Sequence, residues 1–206
     1  MLRSTAIEQA QAEYVPGDAN QPLDLRQLFP TIAPLELDLG CGDGSFITSL
    51  AAEHPERNYI GVERLRGRVA SACRKAAARQ LSNVRILRVD IAHAAARLIP
   101  EGCVEVCHIM FPDPWPKRRH HVRRTVTVDL LRAISRLLVA GGVLRLTTDD
   151  APYFTHMQAV TAAVPELVPV SGDGATALSR STFENRFVQS GTPIHRLVLR
   201  NVSPVR

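Results

Sequence analysis

Short apolar runs alternate along the chain with segments in which apolar residues recur every three to four positions. The runs have the length of buried strands, and the segments between them have the period of amphipathic helices. The predicted strands are LELDL, YIGVE, VRILRVD, VEVCHIMF and VLRLTTD; the predicted helices begin near residue 45 or cover 66–79, 127–139 and 152–164, with a short Ala-rich helix after the third strand. This alternation predicts a mostly parallel sheet with helices on both faces.

Both ends of the chain break the alternation. Residues 1–33 contain several prolines and little periodicity, which predicts an irregular N-terminal arm before a single domain over 34–206. Near the C-terminus, the runs at 167–170 and 194–201 are joined without a helix. We therefore expect an antiparallel pair at the edge of a seven-stranded α/β sheet.

The positive net charge of the chain favours an anionic partner. Lys and Arg number 25 and Asp and Glu number 20, which gives a formal net charge of +5. No segment reaches the roughly 20 apolar residues of a membrane span, and the N-terminus lacks the apolar region of a signal peptide. We expect a cytoplasmic protein with no membrane partner and no obligate protein partner.

The cysteines and histidines do not form a metal-binding pattern. None of the four cysteines belongs to a CxxC pair, and Cys103 and Cys107 lie in an apolar run that is typical of buried thiols. His120 and His121 are adjacent in a cationic run without neighbouring acidic residues, which disfavours metal ligation. We expect no metal.

A glycine loop, DLGCGDG over 38–44, follows the first predicted strand. Ligands of such sheets bind at the carboxyl ends of the strands, and glycines let the backbone approach them closely. The spacing is G-x-G-x-G, whereas a dinucleotide fingerprint needs G-x-G-x-x-G and would place its third glycine at Ser45. By itself, the loop could also be a tight turn that binds nothing.

Carboxylates end the first three predicted strands, at Asp38, Glu63 and Asp90. An acidic residue about twenty positions after the glycine loop can accept hydrogen bonds from both hydroxyls of a ribose. An isolated acidic residue at a strand end is more often a helix cap, and Asp90 could have only that role. Together, the three residues predict a cofactor that resembles a nucleotide.

The fourth strand leads into PDPWPKRRHHVRR over 112–124, the densest block of positive charge in the chain. Prolines fix the backbone around Asp113 and Trp115, so the carboxylate and the indole lie in a rigid turn beside the glycine loop. The cations that follow could bind phosphates, in which case affinity would fall steeply with salt, or could be a solvated surface. Trp115 could be a core anchor or a stacking platform for a base.

These motifs resemble those of class I S-adenosylmethionine-dependent methyltransferases, and of tRNA (guanine-N7)-methyltransferases in particular. The resemblance rests on the glycine loop, on 112–124, on TDDAPY over 148–153 (T-D-x-x-x-Y in the family) and on STFENRF over 181–187 (T-x-F-E-x-R-F). It covers most of residues 35–200. It implies a Rossmann-like fold and methyl transfer from S-adenosyl-L-methionine to N7 of guanine 46 in the variable loop of tRNA, with S-adenosyl-L-homocysteine as product.

The resemblance also implies individual roles. Glu63 would hold the ribose, Asp90 would lie near the adenine and Asp38 near the methionine end. The remaining cofactor contacts would be Gly40, Gly42, Gly44 and Asp113. The substrate and RNA contacts would be Lys117, Arg118, Arg119, His120, Arg123, Arg124, Asp149, Ser181, Thr182, Phe183 and Glu184. For Asp149, a helix cap ahead of Pro152 is the alternative.

Asp113 is the predicted catalytic residue. Guanine N7 is a lone-pair acceptor without a proton, so methyl transfer to it needs no general base. A carboxylate can instead accept hydrogen bonds from guanine N1 and N2 and stabilise the base as it becomes cationic. The alternatives are methyl transfer to another RNA or to an exocyclic amine, a nicotinamide-dependent dehydrogenase, which the glycine spacing disfavours, and a non-catalytic RNA-binding module.

Overall fold

One mixed sheet forms the centre of the computed structural model, which describes residues 12–18, 20–170 and 193–204. Its strands are β1 (Glu13–Tyr14), β2 (Leu35–Leu39), β3 (Asn58–Val62), β4 (Val84–Leu87), β5 (Val104–Met110), β6 (Leu138–Thr148), β7 (Leu167–Pro169) and β8 (His195–Asn201). The strand order is β1-β4-β3-β2-β5-β6-β8-β7. Strands β1 to β6 are parallel, and β8 runs antiparallel to both β6 and β7.

Helices follow most of the parallel strands. They are α1 (Leu25–Leu28), α2 (Ser45–Glu53), α3 (Arg66–Ala78), α4 (Ile91–His93), α5 (Val128–Leu137) and α6 (Ala151–Thr161). Helix α4 continues into a π-helical turn over Ala94–Leu98, and a 3₁₀ helix covers Arg118–Arg123. None of the helices in the described ranges is long and apolar enough to cross a membrane.

The mostly parallel sheet and its antiparallel C-terminal pair confirm the predicted architecture. The sheet has one strand more than the seven predicted, because β1 lies in the N-terminal arm and pairs with β4. Two residues are too few to show a periodic pattern, so their pairing with the sheet edge defines this strand. With β1 and α1, the described part of the arm is not wholly irregular, and the domain boundary at residue 33 stays a prediction.

The order of the strands fixes where a ligand can bind. From β2 the chain proceeds through β3 to β4 on one side, and then crosses to β5 on the other side. Such a reversal opens a crevice beyond the carboxyl ends of the two central strands, which here are β2 and β5. Every residue of β2 is buried, because both faces of the sheet are covered there. The crevice therefore has a rigid floor.

Candidate active site

A cavity of about 1600 Å³ lies at this reversal point. Drug-sized ligands occupy pockets of roughly 300–1,000 Å³, so the cavity has room for a cofactor and for part of a second molecule. The predicted cofactor residues that line it are Asp38, Gly40, Gly42, Glu63, Asp90 and Asp113. The ends of four strands thus bring together residues that lie up to 75 positions apart in sequence.

The glycine loop connects β2 to α2 at one wall of the cavity. The backbone N–H of Gly40 donates to the Val62 carbonyl at 2.8 Å, and its φ of +88° lies in the region that favours glycine. Gly44 lies outside the cavity lining and has a different constraint. A Cβ there would approach the Ala72 Cβ to 2.5 Å, so Gly44 allows α2 and α3 to pack closely.

Lys75 of α3 holds the glycine loop in place, a contact that the sequence analysis missed. Its Nζ donates to the Asp43 carbonyl at 3.0 Å, to Asp43 Oδ2 at 2.5 Å and to Ser45 Oγ at 2.6 Å. Burial opposes ionisation of Asp43, but the hydrogen bonds from Lys75 and Ser45 and the charge of Lys75 together outweigh it and lower the pKa of the carboxyl. A lysine in an Ala-rich helix gave no sign of this contact in the sequence.

Asp38 is a buried acid, and one of its two carboxylate oxygens is unpaired among the described residues. The residue is only 2% exposed, and its Oδ1 has no hydrogen-bond partner among the residues that the structure describes. Burial, helped by the nearby charge of Glu63, raises the pKa of Asp38 to about 7. A buried acceptor without a partner is costly, so this position suits a cationic ligand group such as an ammonium.

Glu63 and Asp90 end the next two strands. Glu63 is buried; its Oε1 accepts from the Leu65 N–H at 2.8 Å, and its Oε2 lies 3.7 Å from Arg68 Nη1. Asp90 is exposed, and its Oδ1 accepts from the Ala92 N–H at 2.9 Å, so it caps α4 as the alternative interpretation proposed. Because Asp90 also lines the cavity, the cap does not exclude a ligand contact.

The PDPW turn after β5 forms the opposite wall. Phe111 and Trp115 have φ values of +50° and +46°, a conformation that costs an aromatic residue on the order of 1–3 kcal/mol. The Phe111 N–H donates to the Thr147 carbonyl at 2.8 Å, and Asp113 Oδ1 accepts from the Trp115 N–H at 3.0 Å. The turn therefore has a defined shape, and it places the exposed carboxylate of Asp113 in the cavity lining.

Arg124 packs against this turn. It is only 7% exposed, its Nε donates to the Pro114 carbonyl at 3.0 Å, and its guanidinium lies 4.9 Å from the centre of the Tyr153 ring. The Tyr153 hydroxyl in turn accepts from the Val126 N–H at 3.1 Å. These contacts join the turn to the TDDAPY segment, and because Arg124 also lines the cavity, its predicted RNA contact stays a prediction.

The cysteines are free thiols. Cys41, Cys73 and Cys107 are buried and Cys103 is partly buried. Burial raises the pKa of Cys73 to about 11, which keeps it protonated. Within the described ranges, no three or more His, Cys, Asp and Glu side chains come together in a way that could hold a metal ion.

Similarity to known proteins shows which family this chain belongs to. Residues 32–197 match a family model described as "Putative methyltransferase". The tRNA (guanine-N(7)-)-methyltransferase of Leifsonia xyli subsp. xyli is 41% identical over 210 residues, which cover 96% of this chain and 91% of that protein. The chain belongs to the tRNA (guanine-N7)-methyltransferase family. The protein of the same name from Alkalilimnicola ehrlichii is 39% identical over 88% of this chain and 78% of its own length.

Solved structures support the fold. The aminoglycoside resistance methyltransferase NpmB1 superposes with a TM-score of 0.60 over 86% of this chain and 92% of its own, at 20% identity. The 16S rRNA methyltransferase KamB gives a TM-score of 0.61 over 89% and 95%, at 19% identity. The predicted Rossmann-like methyltransferase fold is confirmed.

The basic segment of this family member follows Trp115, which lines the cavity, and returns to the cavity lining at Arg123. Lys117, Arg118 and Arg119 are exposed but do not line the cavity, and His120 is partly buried. Arg123 is exposed and does line it. The segment thus begins beside the carboxylate of the turn and presents its charge to solvent.

The family's two downstream elements are only partly described. In TDDAPY, Asp150 caps α6, because its Oδ1 accepts from the Tyr153 N–H at 2.7 Å. The cap proposed as the alternative role of Asp149 therefore belongs to its neighbour, and Asp149 does not line the cavity. The predicted substrate residues Ser181, Thr182, Phe183 and Glu184 lie outside the described residues.

Proposed function

We propose that this protein transfers the methyl group of S-adenosyl-L-methionine to N7 of guanine 46 in the variable loop of tRNA. One observation carries the proposal: the carboxylate of Asp113 lies in the same cavity as the strand-end acids, at the point where an exposed basic segment begins. The names of the relatives support tRNA as the substrate and guanine N7 as the acceptor. A cytoplasmic location is part of the same proposal.

The residues of the cavity fit this cofactor. The open Oδ1 of Asp38 suits its ammonium group, and the buried carboxylate of Glu63 suits the two ribose hydroxyls. Gly40 lets the backbone approach a ligand closely, and Asp90 lies at the rim for a contact with the adenine. When bound, S-adenosyl-L-methionine supplies a methyl group that its sulfonium already activates.

Asp113 acts as a positioning and charge-stabilising group. Because N7 carries a lone pair and no proton, no residue has to remove a proton from the acceptor. Asp113 accepts hydrogen bonds from guanine N1 and N2, and its negative charge stabilises the base as it becomes cationic. Holding the two reactants in line can supply on the order of 7–11 kcal/mol. No metal is part of this proposal.

The remaining predicted contacts are proposed contacts with the tRNA substrate. Exposed cations of the basic segment bind phosphates of the tRNA, at Lys117, Arg118, Arg119 and Arg123. His120 borders the same surface. The proposed contacts of Asp149 with the guanosine, and of residues 181–184 with the substrate, rest on the family motifs.

Methyl transfer to an exocyclic amine of this or another RNA is the alternative. Such an amine carries protons that must leave, so that reaction would require a base where N7 methylation needs none. Two tRNA transcripts that differ only in G or A at position 46 test whether guanine 46 is the acceptor, and mass spectrometry of the nucleosides distinguishes 7-methylguanosine from a guanosine methylated on its exocyclic amine. With labelled S-adenosyl-L-methionine, we expect label in the G46 transcript alone, and Asp113→Asn should lower kcat by about 10²- to 10³-fold.

Calorimetry completes that experiment. Asp113→Asn should still bind S-adenosyl-L-homocysteine, which shows that the site is intact. Equal label in both transcripts would overturn guanine 46 as the acceptor. Full activity of Asp113→Asn would overturn the role of the carboxylate.

A further inference from the structure

Trp115 is the single tryptophan of the chain, and it is partly buried in the wall of the cavity. Its indole belongs to the same turn as the carboxylate of Asp113, because Asp113 Oδ1 accepts the Trp115 N–H at 3.0 Å. Recognition of a purine needs hydrogen bonds to its edge and contact with its face. The turn offers the Asp113 carboxylate for the edge of the base and the Trp115 indole for its face.

Arg123 covers the indole in the structure. Its guanidinium carbon lies 5.0 Å from the centre of the indole, and the ring of His120 meets the indole at 5.8 Å with its plane nearly perpendicular. The guanidinium is flat and cationic, and it lies over the face of the indole on which a base could stack. A cation on an exposed aromatic face is held more weakly than a stacked base.

The surroundings of Arg123 allow it to leave the indole. The residue is exposed and lies at the end of a 3₁₀ helix that contains no buried residue. A phosphate of bound RNA would draw the guanidinium away, because a charged hydrogen bond to phosphate is stronger than a cation–π contact at the surface. The indole would then face the cavity without a cover.

We infer that the indole of Trp115 is a stacking subsite for the target guanine, and that Arg123 occupies this subsite until RNA binds and a phosphate takes the guanidinium. This inference rests on the proposed function. It assigns the face of the base to Trp115 and the edge of the base to Asp113. The competing structural role is that Trp115 only attaches the 3₁₀ helix to the turn.

Fluorescence reports on this residue directly, since Trp115 is the single tryptophan. The probes are three tRNAs that differ only at position 46: guanine, 7-deazaguanine or an abasic site. 7-Deazaguanine has the same face and edge but lacks N7, so it stacks without being methylated. We expect guanine and 7-deazaguanine to quench Trp115 strongly, and the abasic tRNA to quench it weakly. Equal quenching by all three would overturn the inference.

Substitutions give an independent readout. Trp115→Leu should lower kcat/KM for tRNA by roughly 5- to 150-fold, the range that base–aromatic stacking supports, while Trp115→Phe retains most of the activity. The affinity for S-adenosyl-L-homocysteine should not change in either variant. If Trp115→Leu and Trp115→Phe lose activity equally, the aromatic face is not what matters and the inference fails.

Arg123→Ala tests the second half of the inference. It should keep the base-dependent quenching and reduce the magnitude of the negative slope of log K against log salt by about 0.7–0.9, which corresponds to one phosphate. Arg74→Ala is the matched control, because Arg74 is an exposed arginine of α3 outside the cavity lining. Its salt slope should equal that of the wild type. An unchanged slope in Arg123→Ala would show that Arg123 does not move to a phosphate.

Product analysis of the wild-type protein in the same samples separates this inference from the proposed function. If 7-methylguanosine forms and quenching does not depend on the base, the stacking subsite is wrong and the function stands. If quenching depends on the base and no methylated guanosine forms, the proposed reaction is wrong and the subsite stands.

Discussion

At the scale of single residues, the environment of Asp38 favours its protonated form. Burial and the charge of Glu63 raise the pKa of Asp38 to about 7, well above its ordinary value of about 3.9. The folded protein therefore binds this proton more tightly than the unfolded chain does. This contribution to stability is complete below about pH 4 and is lost as the pH rises through about 7.

A cofactor ammonium at Asp38 reverses that preference, because it stabilises the carboxylate. Binding of S-adenosyl-L-homocysteine at pH 6 should therefore release a proton, and its affinity should fall as the pH drops from 8 to 6. Calorimetry at pH 6 in two buffers of different ionisation enthalpy measures the released proton. Asp38→Asn should remove the difference between the buffers. A binding heat of the wild type that is the same in both buffers would contradict the proposed contact.

The shared cavity of Asp38, Glu63, Asp90 and Asp113 could be predicted from sequence, because carboxyl ends of parallel strands meet at one edge of a sheet. The burial of Arg124 could not be predicted from the sequence. In the sequence it is one more cation of the basic segment, and its environment depends on Tyr153, 29 residues further along the chain. Local charge patterns do not contain such long-range contacts.

At the scale of elements, the packing of α2 against α3 depends on Gly44. A Cβ at this position would lie 2.5 Å from the Ala72 Cβ, and the φ of +76° disfavours any other residue. Gly44→Ala should therefore lower the free energy of unfolding by about 1–3 kcal/mol. Urea denaturation measures the change.

Gly67→Ala is the matched control for that prediction. Gly67 lies near the start of α3, and a Cβ there would have no heavy atom within 4 Å. The substitution should be neutral or should stabilise the protein by up to about 1 kcal/mol. If both variants unfold at the same urea concentration, Gly44 does not have the proposed packing role.

Element boundaries show where sequence patterns stop being informative. The predicted helix over 127–139 ends at Leu137, and β6 begins directly at Leu138. Apolar residues continue across this junction, so their pattern does not mark the change. Pairing of Leu138 with Val104 of the neighbouring strand makes it part of the sheet. Tertiary pairing decides such cases, as it does for β1.

At the scale of the whole molecule, the exposed cations of the basic segment form the proposed RNA-binding surface. If Lys117, Arg118, Arg119 and Arg123 each neutralise one phosphate, log K for tRNA should fall with log salt at a slope of about −3. Binding measured by filter retention at several salt concentrations gives this slope. Replacing all four residues with glutamine should bring the slope close to zero and leave cofactor affinity unchanged. A slope that survives this replacement would place the RNA surface elsewhere.

The identity of the methylated atom tests the central claim most directly. Unmodified tRNA is incubated with the protein and S-adenosyl-L-methionine, digested to nucleosides and analysed by mass spectrometry against standards. We predict 7-methylguanosine as the methylated product, at one residue per tRNA, and none with Asp113→Ala. A methyl group on an exocyclic amine, or on any nucleoside other than guanosine, would contradict the account.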